Sequence, residues 1–162
     1  MEGKLPEWEP DAAVVIQPDD FVIIMCGSRT WIGTIAVYAE FDRLITRYGD
    51  RLLIRHGDEP NGADSLIHEA CEDLLVRHIE YCAAPPRHRE HARFQVVRAS
   101  SWDRDGYAAG PIRNRAMRDA GANGLVAFRS ASISKGTDGM IALAREAGIP
   151  VIIRGTDPAA QG

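Results

Sequence analysis

Four short stretches bring glycine together with hydroxyl, amide or charged side chains. They are Gly27-Ser28-Arg29-Thr30, Gly57 with Asn61-Gly62-Ala63-Asp64, Gly110-Pro111-Ile112-Arg113-Asn114, and Ser134-Lys135-Gly136-Thr137-Asp138-Gly139. Glycine lets backbone amides come close to a bound group, and a helix opening at such a loop offers free N–H donors at the positive end of its dipole. Hydroxyls and arginines beside those amides complete a cradle for an anion such as phosphate. None of the stretches reads GxxxxGK[ST] or GxGxxG, so neither a P-loop nor a dinucleotide fingerprint is present. Turn chemistry explains any one of them alone. Together they point to a nucleotide or phosphate site, provided that the fold sets them along one edge.

Loops of this kind need a strand before them and a helix after them, and the apolar pattern supplies both. Phe21–Cys26 is a short buried run that leads into the first loop, and Leu52–His56 leads into the second. His78–Ala84 alternates and stops at Pro85-Pro86, Gly124–Phe128 leads toward the fourth loop, and Pro150–Arg154 closes the series. Between them, Ile35, Tyr38, Phe41, Leu44, Ile45 and Tyr48 recur at helical spacing up to Gly49. Leu66, Ile67, Ala70, Cys71, Leu74 and Leu75 do the same, as do Ile112, Ala116, Met117 and Ala120 behind Pro111, and Met140, Ile141, Leu143, Ala144 and Ala147 before Gly148. Five short strands alternating with helices predict an α/β, Rossmann-like, doubly wound and mostly parallel sheet in three layers. In such sheets a ligand lies at the carboxyl ends of the strands, near the reversal of strand order.

The remaining reactive side chains have plainer readings. Cys26 is a reactive thiol beside the first loop or a buried inert one, while Cys71 and Cys82 fall on apolar positions. The five histidines show no metal-ligand spacing with any cysteine or acid pair, and the pair His88 and His91 is too few for a site. No metal and no cofactor are therefore expected. Ser28 lacks a GxSxG context. Asp64 sits in a first helical turn, where the dipole alone favours an acid; Arg113, in another first turn, opposes the dipole in a way that an anionic ligand would relieve. The polar stretch from Arg87 to about Gly110 carries a basic run, Arg87 to Arg93 with Arg98, ahead of Trp102 and Tyr107. It reads either as a solvated surface helix or as a lid over an anionic ligand, with an aromatic ring stacked on a base.

With 162 residues the chain suits one domain, expected over 19–155, between a loose arm at 1–18 and a tail at 156–162. The 19 basic and 23 acidic residues leave a net charge of −4, unlike a domain held on nucleic acid by bulk charge. No stretch is apolar enough for a bilayer and no signal peptide is evident, so a cytoplasmic setting is expected.

The segments CGSRTW, HGDEPNGADSLIHEA, GPIRNRAM, VAF with SKGTDGM, and AGIPV follow one another across residues 21 to 153. In them the chain resembles the YspA-like branch of the SLOG superfamily, whose relatives include Smf/DprA and the LOG phosphoribohydrolases. The resemblance implies a Rossmann-like domain that binds a nucleotide or nucleotide-derived ligand. It implies Gly27, Ser28 and Arg29 around a phosphate or ribose, and Gly62 and Asp64 at the second loop, with Asp64 suited to ribose hydroxyls. Arg113 and Asn114 resemble the Arg-Lys pair of LOG enzymes, whose arginine helps catalysis, and Gly136 and Thr137 resemble a phosphate-binding GT. Met140 stands where those enzymes carry the glutamate that acts as acid on the N-glycosidic bond. The resulting expectation is a homo-oligomeric binder of a small nucleotide-type ligand. The alternative is a hydrolase of an N-glycosidic bond in a nucleoside phosphate or NAD-like molecule, with Arg113 stabilising charge and Asp64 or Asp138 replacing the glutamate. A nucleic-acid-associated module, implied by the Smf/DprA kinship, ranks last given the net charge and scarce lysine.

Overall fold

The five apolar runs lie side by side as the parallel centre of one sheet in a computed structural model, which describes residues 9–10, 16–57, 61–82, 95–98 and 109–155. The strands are β1 (Glu9–Pro10), β2 (Phe21–Gly27), β3 (Leu52–His56), β4 (Arg77–Cys82), β5 (Gln95–Arg98), β6 (Gly124–Arg129) and β7 (Val151–Gly155). The helices are α1 (Thr34–Tyr48), α2 (Ala63–Asp73), α3 (Ala109–Ala120) and α4 (Lys135–Glu146). Across the sheet the order is β1-β5-β4-β3-β2-β6-β7, parallel throughout except where the two-residue β1 meets β5. From β2 the chain steps outward through β3, β4 and β5, then returns to set β6 on the other side of β2. The switch in strand order thus lies between β2 and β6.

Alternation along β2 feeds two cores. Val22, Ile24 and Cys26 face Met117 of α3 and Met140, Ile141 and Ala144 of α4. Ile23 and Met25 face Val37 and Phe41 of α1 and Ala63 and Ile67 of α2. Burying a side chain such as Phe41 or Ile54, both fully enclosed, contributes about 1.5–3 kcal/mol. With helices on both faces the molecule has the expected three layers.

Two boundaries differ from the sequence pattern. The apolar stripe of α2 was expected to run through Leu75, but the helix ends at Asp73 and Leu75 is 64% exposed with φ of 56°. Val76 N–H donates to Cys71 O and Leu75 N–H to Glu72 O, a Schellman ending that places leucine at the left-handed position usually held by glycine. The turn is needed because Val76, 6% exposed, must enter the core as the chain passes into β4. The sheet also gains β1 and β5, which fall within the expected N-terminal arm and the long polar segment. Apart from residues 16–18 and 109–110, the rest of both segments lies outside the described residues, as do the tail from residue 156 and the run Arg87 to Arg93 with Trp102 and Tyr107.

Candidate functional site

The four glycine-containing stretches meet at a cleft of about 380 Å³ beyond the carboxyl ends of β2 and β3, beside the switch point. The third is not a loop, because α3 begins at Ala109 and not at Pro111, which puts Arg113 in its second turn. Gly27, Arg29 and Thr30 line it from the loop after β2, Gly57 from the loop after β3, and Asp64 from the first turn of α2. Arg113 and Asn114 come from α3, and Ser134, Lys135, Gly136 and Thr137 from the start of α4.

Two glycines let these walls close up. A Cβ on residue 27 would lie 2.4 Å from both Ala63 Cβ and Phe128 O, so only glycine lets the end of β2 pass between α2 and β6. Gly62 has φ of 73°, and a Cβ there would lie 2.3 Å from Ser28 O. That approach brings Ala63 N–H to Ser28 O at 3.1 Å, joining the second loop to the first. Gly62 therefore shapes the wall and does not itself line the cleft. Ser28, 1% exposed, also lies behind the surface. Its hydroxyl shares a hydrogen bond with Ser134 Oγ at 2.5 Å and accepts one from Ser130 N–H at 3.0 Å.

Arg113 reaches across from α3 and donates through Nη1 to Gly57 O at 2.9 Å and through Nε to Asn114 Oδ1 at 3.3 Å. A Cβ on residue 57 would stand 2.7 Å from that Nη1, so a side chain there would displace the guanidinium. Asn114, 5% exposed, donates through Nδ2 to Gly136 O at 3.2 Å and so ties the second turn of α3 to the first turn of α4. Gly136 is different from Gly27, Gly57 and Gly62. A Cβ there would meet nothing within 4 Å, so the protein's own packing does not require glycine. The first turn of α4 consequently presents bare backbone to the cleft, with Arg29, Arg113 and Lys135 around it and Asp64, 6% exposed, as the acid among the described lining residues.

Cys26 also lines the cleft. Burial pushes its thiol well above the ordinary range, Asp64 pushes it further, and Arg113 offsets this only in part. The thiol stays protonated at neutral pH and belongs with the core. Asp138 faces elsewhere: Arg129 donates to its two carboxylate oxygens at 2.6 and 3.1 Å. Met140 is fully enclosed in the core beneath α4. Of the two acids offered in place of a glutamate at position 140, only Asp64 lines the cleft.

Sequence reasoning passed over Ser130 and Ser132. Thr30 Oγ1 meets their hydroxyls at 2.5 and 3.0 Å, stitching the loop after β2 to the loop after β6. The signal was present as serine at every second position in Ser130-Ala131-Ser132-Ile133-Ser134.

Fold and cleft together define an α/β doubly wound domain with a cation-lined cleft beside its switch point. No family model matches the chain, and no curated protein matches it. Solved structures share the fold. The Moco carrier protein of Chlamydomonas reinhardtii is similar at 19% identity and TM-score 0.59, over 87% of this chain and 80% of that one. The molybdenum cofactor binding protein of the phototrophic bacterium Rippkaea orientalis is similar at 16% identity and TM-score 0.61, over 90% and 82%. Likeness at this level of identity establishes the shared architecture. Among the described residues no helix is long and apolar enough to cross a membrane.

Proposed function

We propose that the cleft binds a small, phosphate-bearing ligand of nucleotide type. The phosphate lies against the first-turn amides of α4, between Arg29 and Lys135, and ligand hydroxyls turn toward Asp64. The observation that carries this reading is the bare first turn at Gly136, which the fold leaves open toward a cleft lined by three cationic side chains. The resemblance to YspA-like SLOG domains supports the same class of ligand. The neighbours named for a molybdenum cofactor make that cofactor the second candidate for the same cleft. Hydrolysis of an N-glycosidic bond is the weaker reading, because Met140 belongs to the core and Asp138 is held by Arg129.

Calorimetric titration with AMP, ADP and ADP-ribose tests the proposal. At least one should bind, and Arg29→Ala should lower its affinity by roughly ten- to a hundredfold, the loss of one charge-assisted contact. Unchanged affinity in the variant would refute the placement of the phosphate. Failure of every phosphate compound, the molybdenum cofactor included, to bind the natural protein would refute the ligand class.

A further inference from the structure

On the face of the sheet covered by α1 and α2, three histidines and a glutamate converge. His56 comes from β3, His78 and Glu80 from β4, and His68 from α2. One ligand atom from each lies within 4.8 Å of every other. His56, His78 and Glu80 are essentially sealed from solvent, at 0%, 0% and 1% exposure. Parallel pairing in register, Ile54 with His78 and His56 with Glu80, is what sets these side chains side by side.

The orientation of the rings is informative. His68 and His78 both turn Nδ1 inward, where His68 Nδ1 lies against Glu80 Oε1 and His78 Nδ1 is 4.0 Å from the same oxygen. Both turn Nε2 outward to one carboxylate oxygen, Glu72 Oε1, at 3.5 and 3.6 Å. At these distances the carboxylate acts through its charge: it favours a proton on the outer nitrogen of each ring, and in that tautomer the inner lone pair faces the centre. Lone pairs of His68 and His78 and an oxygen of Glu80 then face one another, an arrangement satisfied by protons shared with His56 and Glu80 or, in their place, by a cation at the centre. His56 Nε2 completes the group, 2.8 Å from His78 Nδ1 and 3.9 Å from Glu80 Oε1. Metal–ligand bonds of about 2.0–2.1 Å in a tetrahedron imply ligand–ligand separations of about 3.3 Å. The separations of 2.8, 3.9 and 4.0 Å bracket that value.

We propose that His56, His68, His78 and Glu80 form a binding site for a divalent transition-metal ion, with zinc as the preferred occupant and Glu72 orienting two of the ligand rings. Three neutral imidazoles and two carboxylates neutralise a divalent charge, and nitrogen and oxygen donors in a closed tetrahedron suit zinc. The ion reaches the site from the side of His68 and Glu72, whose side chains are 12% and 27% exposed. The site does not rest on the ligand reading of the cleft. It adjoins the cleft, because His56 immediately precedes Gly57, whose carbonyl holds Arg113.

The test uses the tag-free full chain, stripped with a chelator and titrated with Co²⁺ and then Zn²⁺. We expect one Co²⁺ per chain, with the intense visible bands of tetrahedral cobalt and no thiolate charge-transfer band, since the neighbouring Cys71 is not a ligand. Zinc should displace the cobalt and raise the melting temperature. Glu72→Gln should weaken binding by about ten- to a hundredfold, and His68→Ala by more. Absence of stoichiometric uptake by the natural protein, a weak octahedral cobalt spectrum, or unchanged affinity in folded Glu72→Gln would each overturn the proposal.

Discussion

Replacing Gly136 by alanine pulls two measurements in opposite directions if the first turn of α4 receives the ligand. Residue 136 lies within the helix and an added Cβ meets nothing within 4 Å, so the methyl group causes no clash in the free protein. Glycine in a helix is less favourable than alanine by roughly 0.5–1 kcal/mol, and Gly136→Ala should recover about that much. In a chain of this size that raises the melting temperature by about 1–4 °C. The same methyl group occupies the space through which a phosphate reaches the amides. Loss of one charge-assisted hydrogen bond there, about 1.5–3 kcal/mol, lowers affinity by roughly ten- to a hundredfold. Gly139 supplies the control. It lies in the same helix, its added Cβ also meets nothing within 4 Å, and it does not line the cleft. Gly139→Ala should raise the melting temperature and leave binding unchanged. The measurements are thermal melts of the ligand-free proteins and calorimetric titration with ADP. Equal affinity in the two variants would show that no ligand uses the opening at Gly136.

Two further outcomes follow from groups away from the cleft. Met140→Glu should gain no release of free base from AMP, because the new carboxylate enters the fully enclosed core next to Ile141 and Ala144. Burial raises the pKa of such a group above its unfolded value, so the destabilisation, several kcal/mol, deepens from about pH 5 to about pH 8; an unchanged urea midpoint would contradict it. Burial also acts to raise the Glu40 carboxyl, but hydrogen bonds from Arg154 at 2.8 Å and Arg43 at 2.5 Å outweigh it and hold the group below its usual 4.5. A pKa lowered by folding contributes stability that is present above the unfolded value and lost as pH falls. Urea midpoints from about pH 6 to about pH 3 should therefore fall less steeply in Glu40→Gln than in the natural protein.

β2, β3 and β6 were legible because burial on both faces makes each a short, mostly apolar run, β4 by its alternation up to Pro85-Pro86 and β7 by Val151–Ile153 after Pro150; the loops after β2, β3 and β6 were legible by glycine among hydroxyl, amide or charged residues. β5 was not, since Gln95–Arg98 is too short for a pattern, and β1 has only two residues. At the cleft, residue type located Arg29, Asp64, Arg113, Asn114 and Gly136 on its lining. It did not separate them from Ser28, whose hydroxyl the loops consume, or from Asp138, whose partner Arg129 was not singled out. The histidine cluster was illegible for a different reason. Its members stand 12, 10 and 2 residues apart on three elements, and strand register, which no local spacing records, brings them together.

Arg55 has a mechanical consequence for the cleft. It leaves β3 nearly buried, donates through Nη1 to Tyr81 OH at 2.7 Å, and reaches with Nε to Gly121 O at 3.2 Å, just past the end of α3. Its charge sits at the negative end of that helix dipole, so the far end of α3 is pinned to the sheet. Arg113 lies seven residues toward the other end, about 10 Å along the axis. The helix is thus a lever with its fulcrum at Arg55. A tilt of about 5° swings Arg113 by about 1 Å and stretches its bond to Gly57 and that of Asn114 to Gly136, while every strand pairing stays intact. Opening the mouth of the cleft by such a tilt would cost those two hydrogen bonds and part of the packing of Met117 against the sheet, with the sheet as a fixed frame.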